Sequence, residues 1–387
     1  MSSSTRPPLP RPGTLASNTG LRAVALALLL YVFMLGVNGL SGGFRLLGSG
    51  LLDSFFSVTT NPFLGLIIGL LTTSLVQSSS VTTSLIVGLV AAPENPLPIA
   101  NAVPMIMGAN IGTTVTNTLV SLGHVTRPDE FRRAFAVATC HDFFNFMAVL
   151  ILLPVEIATG YLRHCAETVS TAATGLEGAD YESPVSAAIH FGAKPIQAAI
   201  GWLSGSAHTQ GIILIALSGV MIYFSLLLLV QNARVMLRSR METAVSQALE
   251  KAPLVAMAVG MIVTALIQSS SITTSLLVPL AGAGVITLAQ AFPVTIGANV
   301  GTTITALLAS MAVTGENAHF GVVIALTHLL FNISATVIIY PIKAIRRIPL
   351  MAAQMLANTA TKNRWAALAY VGVLFYVLPM ALAALFH

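Results

Sequence analysis

The stretch Gln77-Ser78-Ser79-Ser80-Val81-Thr82-Thr83-Ser84-Leu85 recurs as Gln268-Ser269-Ser270-Ser271-Ile272-Thr273-Thr274-Ser275-Leu276, identical at eight of nine positions. Each copy follows an apolar run, Pro62–Val76 and Pro253–Ile267, long enough to reach the middle of a bilayer. An amide and three hydroxyls at that depth need partners, because an unpaired hydroxyl there costs roughly 1–3 kcal/mol. A single serine in a membrane helix commonly bonds the carbonyl four residues back or lets helices approach closely. A duplicated amide-plus-hydroxyl cluster exceeds what packing requires. It reads as a binding site.

The residue types suggest which ligands. A helix that starts inside a membrane presents unpaired N–H groups and favours anions. Ser78, Ser79 and Ser80, with Ser269, Ser270 and Ser271, add hydroxyl donors to two such starts, which together would cradle an oxyanion. The amide oxygens of Gln77, Gln268, Asn110 and Asn299, with the hydroxyls of Thr113 and Thr302, are hard neutral ligands. They suit an alkali cation better than a transition metal, which would want His or Cys clusters. No Lys or Arg falls in the apolar core to balance an anion, so co-bound cations would do so, a physical reason to couple two fluxes. Asp142 is the one acid deep in a spanning segment, opposite Leu329 in the repeat, and an intramembrane carboxylate is functional by default. His141 and His328 are read as hydrogen-bonding support rather than as a proton relay.

Gly108-Ala109-Asn110-Ile111-Gly112-Thr113-Thr114 and Gly297-Ala298-Asn299-Val300-Gly301-Thr302-Thr303 agree at six of seven positions. Their glycines follow a small-residue helix-packing pattern. Neither segment is a phosphate-binding loop of the nucleotide-hydrolase type, since each lacks the Lys and the preceding strand.

The elements that must position these groups are helices in a membrane. Of 387 residues 55% are apolar and 8% charged, with mean hydropathy +0.86, whereas soluble domains carry about 25% charged residues. The net charge of +5 is no nucleic-acid signal. With a cytoplasmic N-terminus, fifteen Lys and Arg residues fall inside and three (Arg45, Arg163 and Lys194) outside, as the positive-inside rule requires. Cys140 and Cys165 define no disulfide framework and are read as free thiols.

Taken in order, residues 1–20 read as a disordered cytoplasmic tail and 21–158 as a first repeat, with a spanning helix over about 22–41 and an amphipathic outer segment over 42–60. A hairpin breaking at Gln77 follows, turning at Pro93-Glu94-Asn95-Pro96. Its arms are too short to span and read as re-entrant, since a crossing needs about 20 residues. Next come a span over about 98–122 interrupted at Gly108–Thr114, a charged inner loop up to Arg133, and a long helix over about 133–158. Residues 159–208 read as an extracytoplasmic linker, 209–345 as a second repeat, and 346–387 as an interfacial segment and a last helix ending outside. Offsets of 191, 189 and 187 relate Gln77 to Gln268, Gly108 to Gly297, and His141, Asn145 and Pro154 to His328, Asn332 and Pro341. The charge pattern sends the first hairpin in from outside and the second from inside. The expected fold is all-α and polytopic, with two inverted repeats, re-entrant hairpins and broken helices.

With the twin Gln-Ser-Ser-Ser motifs and the Gly-Ala-Asn-Ile/Val-Gly-Thr-Thr segments in place, Glu130-Phe131-Arg132-Arg133-Ala134-Phe135 and His141-Asp142-Phe143-Phe144-Asn145 complete a pattern. Leu153-Pro154-Val155-Glu156 and His328-x-x-Phe331-Asn332-Ile333-Ser334 extend it. Over about 20–386 the chain resembles the type II sodium-dependent phosphate cotransporters, in a minimal bacterial-type form with a short linker, no long C-terminal tail and one helix after the second repeat. The resemblance implies Na⁺-coupled import of inorganic phosphate, as HPO₄²⁻, across the cell membrane by alternating access. It places phosphate at the two serine clusters, and Na⁺ at Gln77, Gln268, Asn110, Thr113, Asn299, Thr302, Asp142, Asn145 and Asn332, with Asp142 accompanying electrogenic transport. An anion-selective channel and a Na⁺-coupled carrier of another oxyanion are the alternatives. An intramembrane serine hydrolase would need an activating base beside one serine, and the spacing supplies none. The chain is expected to be no enzyme, and its partners to be phosphate, Na⁺ and the bilayer, without nucleic acid.

Overall fold

The computed structural model describes residues 19–47, 59–93, 96–174, 184–250 and 252–385. Residues 1–18 of the tail expected over 1–20, most of the outer segment after the first helix and Glu94-Asn95 in the first turn lie outside these residues, and Thr19 and Gly20 already belong to the first helix.

Helix α1 spans Thr19–Leu47. The first hairpin is α2 (Pro62–Val76) and α3 (Ser79–Val90). Next come α4 (Ile99–Gly112) and α5 (Val115–Ser121), α6 (Pro128–Thr159) and the amphipathic α7 (Tyr161–Thr174). After α8 (Pro184–Leu203) the order begins again with α9 (Ala207–Leu249). The second hairpin is α10 (Pro253–Ile267) and α11 (Ser270–Gly282), followed by α12 (Leu288–Ala312), α13 (Ala318–Ile339) and the amphipathic α14 (Lys343–Lys362). Helix α15, Arg364–Leu385, stands after the second series and contains a π-type turn at Val373–Val377. Six described helices are long and apolar enough to cross a membrane: α1, α6, α9, α12, α13 and α15. The hairpin arms are not. No strand occurs among the described residues.

Contacts come in exchanged pairs, consistent with a two-fold relation between the series. Helix α1 packs on its counterpart α9; α2 packs on α4 as α10 does on α12; and α6 packs on α14 as α13 does on α7. The second of these pairings depends on glycine. A Cβ added at Gly69 would overlap the carbonyl oxygen of Met105, and one at Gly108 that of Leu66. In the other half Gly260 meets Val294 O and Gly297 meets Met257 O in the same way. Helix backbones in direct contact gain dispersion along their whole length, which matters where lipid removes the hydrophobic drive between helices.

Several expected boundaries move. Helix α6 begins at Pro128, so Arg132 and Arg133 belong to its first turns rather than to a loop. Proline suits a first helical position, and Asp129 and Glu130 complement the dipole there. The expected linker carries two helices, α7 and α8, with 175–183 outside the described residues. The more telling difference is that only the first of the two Gly-Ala-Asn segments is broken, at Thr113–Thr114, while α12 runs through Gly297–Thr303 without interruption. Asn145 Nδ2 donates to Asn110 O at 2.8 Å, taking the acceptor that Thr114 N would use in a continuous helix. Thr114 N turns to Ile111 O instead, at 3.2 Å. In the second half Asn332 Nδ2 bonds His328 O within its own helix and leaves the α12 ladder intact.

The glycine contacts yield a direct test. Gly297→Val should abolish the monodisperse folded protein in detergent, because the clash is with backbone. Gly123→Ala, which meets nothing within 4 Å, should leave the melting temperature unchanged. A folded Gly297→Val protein of wild-type stability would contradict this packing.

Candidate functional site

Each Gln-Ser-Ser-Ser motif is a two-residue joint between half-helices. Gln77 (φ 58°, ψ 27°) and Gln268 (φ 61°, ψ 28°) adopt the left-handed conformation, the only non-glycine residues with positive φ among those described. Their backbone N–H groups donate to Thr73 O and Thr264 O, at 2.8 and 2.7 Å, closing α2 and α10. Their Nε2 groups fold back onto Ser74 O and Ala265 O. Their Oε1 atoms accept from Thr116 at 3.0 Å and Thr305 at 2.7 Å. The next residue starts the next helix: Ser78 and Ser269, both extended, accept from Val81 N and Ile272 N at 3.3 and 3.4 Å. A side-chain N-cap of this kind is worth about 1 kcal/mol.

Both joints line one cavity of about 310 Å³. Gln77 and Ser78–Ser80 face it from the first hairpin, and Gln268 and Ser269–Ser271 from the second. Helix α9 supplies a wall that includes Tyr223 and Gln231. The two helix starts, with their first N–H groups unclaimed by helical bonds, therefore converge on a common space whose described lining carries no Lys, Arg, Asp or Glu. The halves are latched there, since Ser80 Oγ lies 3.2 Å from Gln268 O and 3.3 Å from Thr305 Oγ1.

The remaining candidates lie elsewhere. Asn110, Asn145, Asn299 and Asn332 form a buried network that crosses between the halves. Asn110 Nδ2 donates to Asn332 Oδ1 at 2.7 Å, and Asn299 Nδ2 to Asn145 Oδ1 at 2.6 Å. His328 Nε2 meets Asn110 Oδ1 at 3.3 Å, and His141 Nε2 meets Asn299 Oδ1 at 2.7 Å. All four amide oxygens thus already face a protein nitrogen, and a cation there would have to exchange for one. Thr113 and Thr302 donate back to Ala109 O and Ala298 O, at 3.0 and 3.1 Å. Asp142, buried in α6, accepts through Oδ2 from Thr118 at 3.3 Å and Tyr370 at 2.9 Å. Cys140 and Cys165 are free thiols.

Sequence reasoning passed over Thr116 and Thr305, which share the 189 offset and lie two positions beyond the Gly-Ala-Asn segments. Gln231, one of several amides in α9, and Tyr370 carry no comparable signal. Arg133, taken for a loop charge, caps the far end of the second hairpin by donating to Ala281 O and Gly282 O at 3.1 Å.

Fold and site together define a helical membrane protein in which two half-helix joints share one polar cavity without a charged side chain in its described lining. The Na⁺/Pi-cotransporter family profile matches residues 32–176 and 221–383, and the chain belongs to that family. It is 33% identical over 451 residues to human sodium-dependent phosphate transport protein 2B, covering 94% of this chain and 65% of that protein. To the rat 2A protein it is 34% identical over 443 residues, covering 96% and 69%. To the 2B protein of Pongo abelii it is 32% identical over 451 residues, covering 94% and 65%. The chain thus spans about two thirds of the length of these relatives. No solved structure matches it.

The crossed network makes a stability prediction. Asn299→Ala leaves His141 Nε2 and Asn145 Oδ1 without their partners, each a buried group costing about 1–3 kcal/mol when orphaned. The melting temperature in detergent should fall clearly. An unchanged melting curve would show that these contacts do not hold the halves together.

Proposed function

We propose that the protein imports inorganic phosphate with Na⁺, in line with relatives named as sodium-dependent phosphate transport proteins, and that the shared cavity binds the phosphate. The observation that carries this reading is the convergence of both serine joints on one space. Each helix start offers roughly half a positive charge, and Ser79, Ser80, Ser270 and Ser271 add hydroxyl and N–H donors. The N-caps Ser78 and Ser269 set the geometry and complete the two clusters.

Two half-charges balance about one unit, whereas HPO₄²⁻ carries two. With no cationic side chain in the described lining, the remainder falls to co-bound Na⁺. One such ion about 4 Å away contributes roughly 4 kcal/mol per anionic charge at an effective dielectric near 20. That difference would make phosphate affinity depend on Na⁺, and by linkage Na⁺ affinity depend on phosphate. The side-chain oxygens of Gln77 and Gln268 are cation ligands bordering the cavity. Asp142, beside the break at Thr113–Thr114, holds a further cation and makes the cycle electrogenic. The Asn quartet, with Thr113 and Thr302, couples the halves as they exchange access between the two membrane faces. The N-terminus is cytoplasmic, on the charge count above, and the membrane is the cell membrane, on the family resemblance.

Proteoliposomes test this reading. Uptake of radiolabelled phosphate should require an inward Na⁺ gradient, fail with K⁺ in its place, and build phosphate above the outside concentration. Uptake driven by a proton gradient alone, with K⁺ on both sides, would refute Na⁺ coupling. Strong competition by sulfate, with weak competition by unlabelled phosphate, would reassign the anion.

A further inference from the structure

Three departures from the repeat relation fall in one place. Asp142 on α6 stands where α13 has Leu329. The helix break at Thr113–Thr114 has no equal in α12. Helix α15 follows the second series as α8 follows the first, but α8 packs on α1, α9 and α12, whereas α15 packs on α2 and brings Tyr370 to Asp142. Symmetry between the halves requires none of these, yet all three meet at one carboxylate.

The two oxygens of that carboxylate are treated differently. Oδ2 accepts from the Tyr370 phenol at 2.9 Å and from Thr118 at 3.3 Å, while Oδ1 is buried and accepts no hydrogen bond, the neighbouring Thr114 hydroxyl donating instead to Ile111 O at 2.8 Å. A buried carboxylate oxygen left without a donor is a position suited to a cation. Backbone carbonyls at a break in a membrane helix are the usual complement to such an oxygen. The Tyr370 ring is itself held, with centroids 6.5 Å from Phe135, 6.2 Å from Phe143 and 6.1 Å from Phe375. Beyond it, within the π-type turn, Tyr376 donates at 3.0 Å to Ser74 O, the carbonyl on which Gln77 also closes. The last helix therefore touches both the carboxylate and the end of the first half-helix.

We infer that Tyr370 is a positioning residue for the coupling cation: its phenol, with Thr118, fixes Oδ2 so that Oδ1 is presented to a desolvated monovalent cation between Asp142 and the Thr113–Thr114 break. The inference rests on the Na⁺-coupled reading and adds to it that α15 is part of the cation machinery. Thr118 supplies the second donor from α5, so loss of the phenol weakens the site without erasing it.

The test reads Na⁺ binding separately from transport. Melting of the purified full-length protein is followed against NaCl, with choline chloride holding ionic strength, and phosphate uptake against Na⁺ is measured in proteoliposomes. Tyr370→Phe keeps the ring among its three phenylalanines and removes only the O–H. The Na⁺ concentration for half-maximal stabilisation and for half-maximal uptake should both rise, by about ten-fold for the loss of one hydrogen bond to a charged group. Asp142→Asn should abolish the shifted component. Tyr161→Phe, which loses a phenol contact to Ser334 of 3.2 Å, should leave the Na⁺ curve where it was. Equal loss of stability in both salts with an unmoved Na⁺ midpoint would make Tyr370 structural only and overturn the inference alone. Absence of any Na⁺-specific stabilisation of the wild type would overturn the coupled reading and this inference with it.

Discussion

A polypeptide at membrane depth must satisfy its own backbone, because lipid offers no hydrogen bonds. Every functional feature here follows from the way the chain meets that constraint while interrupting its helices. At Gln77 and Gln268 a left-handed residue closes one helix, and the next serine opens another. The glutamine amide covers a carbonyl at the closing end, and the serine covers an N–H at the opening end. What stays uncovered is the first N–H groups of each new helix, and these face the cavity. The joint is stable enough to exist and leaves its residual polarity where a ligand can use it.

The rest of the fold holds the two joints against each other. The glycine contacts draw α2 onto α4 and α10 onto α12 at backbone distance, so each hairpin is fixed to its own half. The crossed pairs Asn110–Asn332 and Asn299–Asn145 then tie one half to the other. Each amide oxygen of this network faces a protein nitrogen, and of its buried polar side-chain atoms only Nδ1 of His141 and of His328 have no hydrogen-bond partner.

Much of this was legible in the sequence, for physical reasons. A doubled amide-hydroxyl run inside apolar segments marks a break, and proline with asparagine or alanine before it marks the start of each descending arm. Small residues four apart announced the close helix contacts, and the gap-tolerant offsets exposed the repeat. Sequence could say that Asn110, Asn145, Asn299 and Asn332 need partners, but not that they choose one another. For the same reason it could not show that Asn145 captures the Asn110 carbonyl and breaks one helix of a matched pair. Tyr370 was invisible because it lies outside the repeat, and nothing local distinguishes it from a lipid-facing tyrosine.

The central claim is that two joints, one from each half, make a single anion site. Equilibrium binding of radiolabelled phosphate to the purified protein in saturating Na⁺ tests it most directly. The wild type should bind one phosphate per chain, and Ser79→Ala and Ser270→Ala should each weaken that one site by about five-fold or more, the loss of a hydrogen bond in a desolvated pocket. Two phosphates per chain, or a variant in either joint that leaves phosphate affinity untouched, would contradict the shared site.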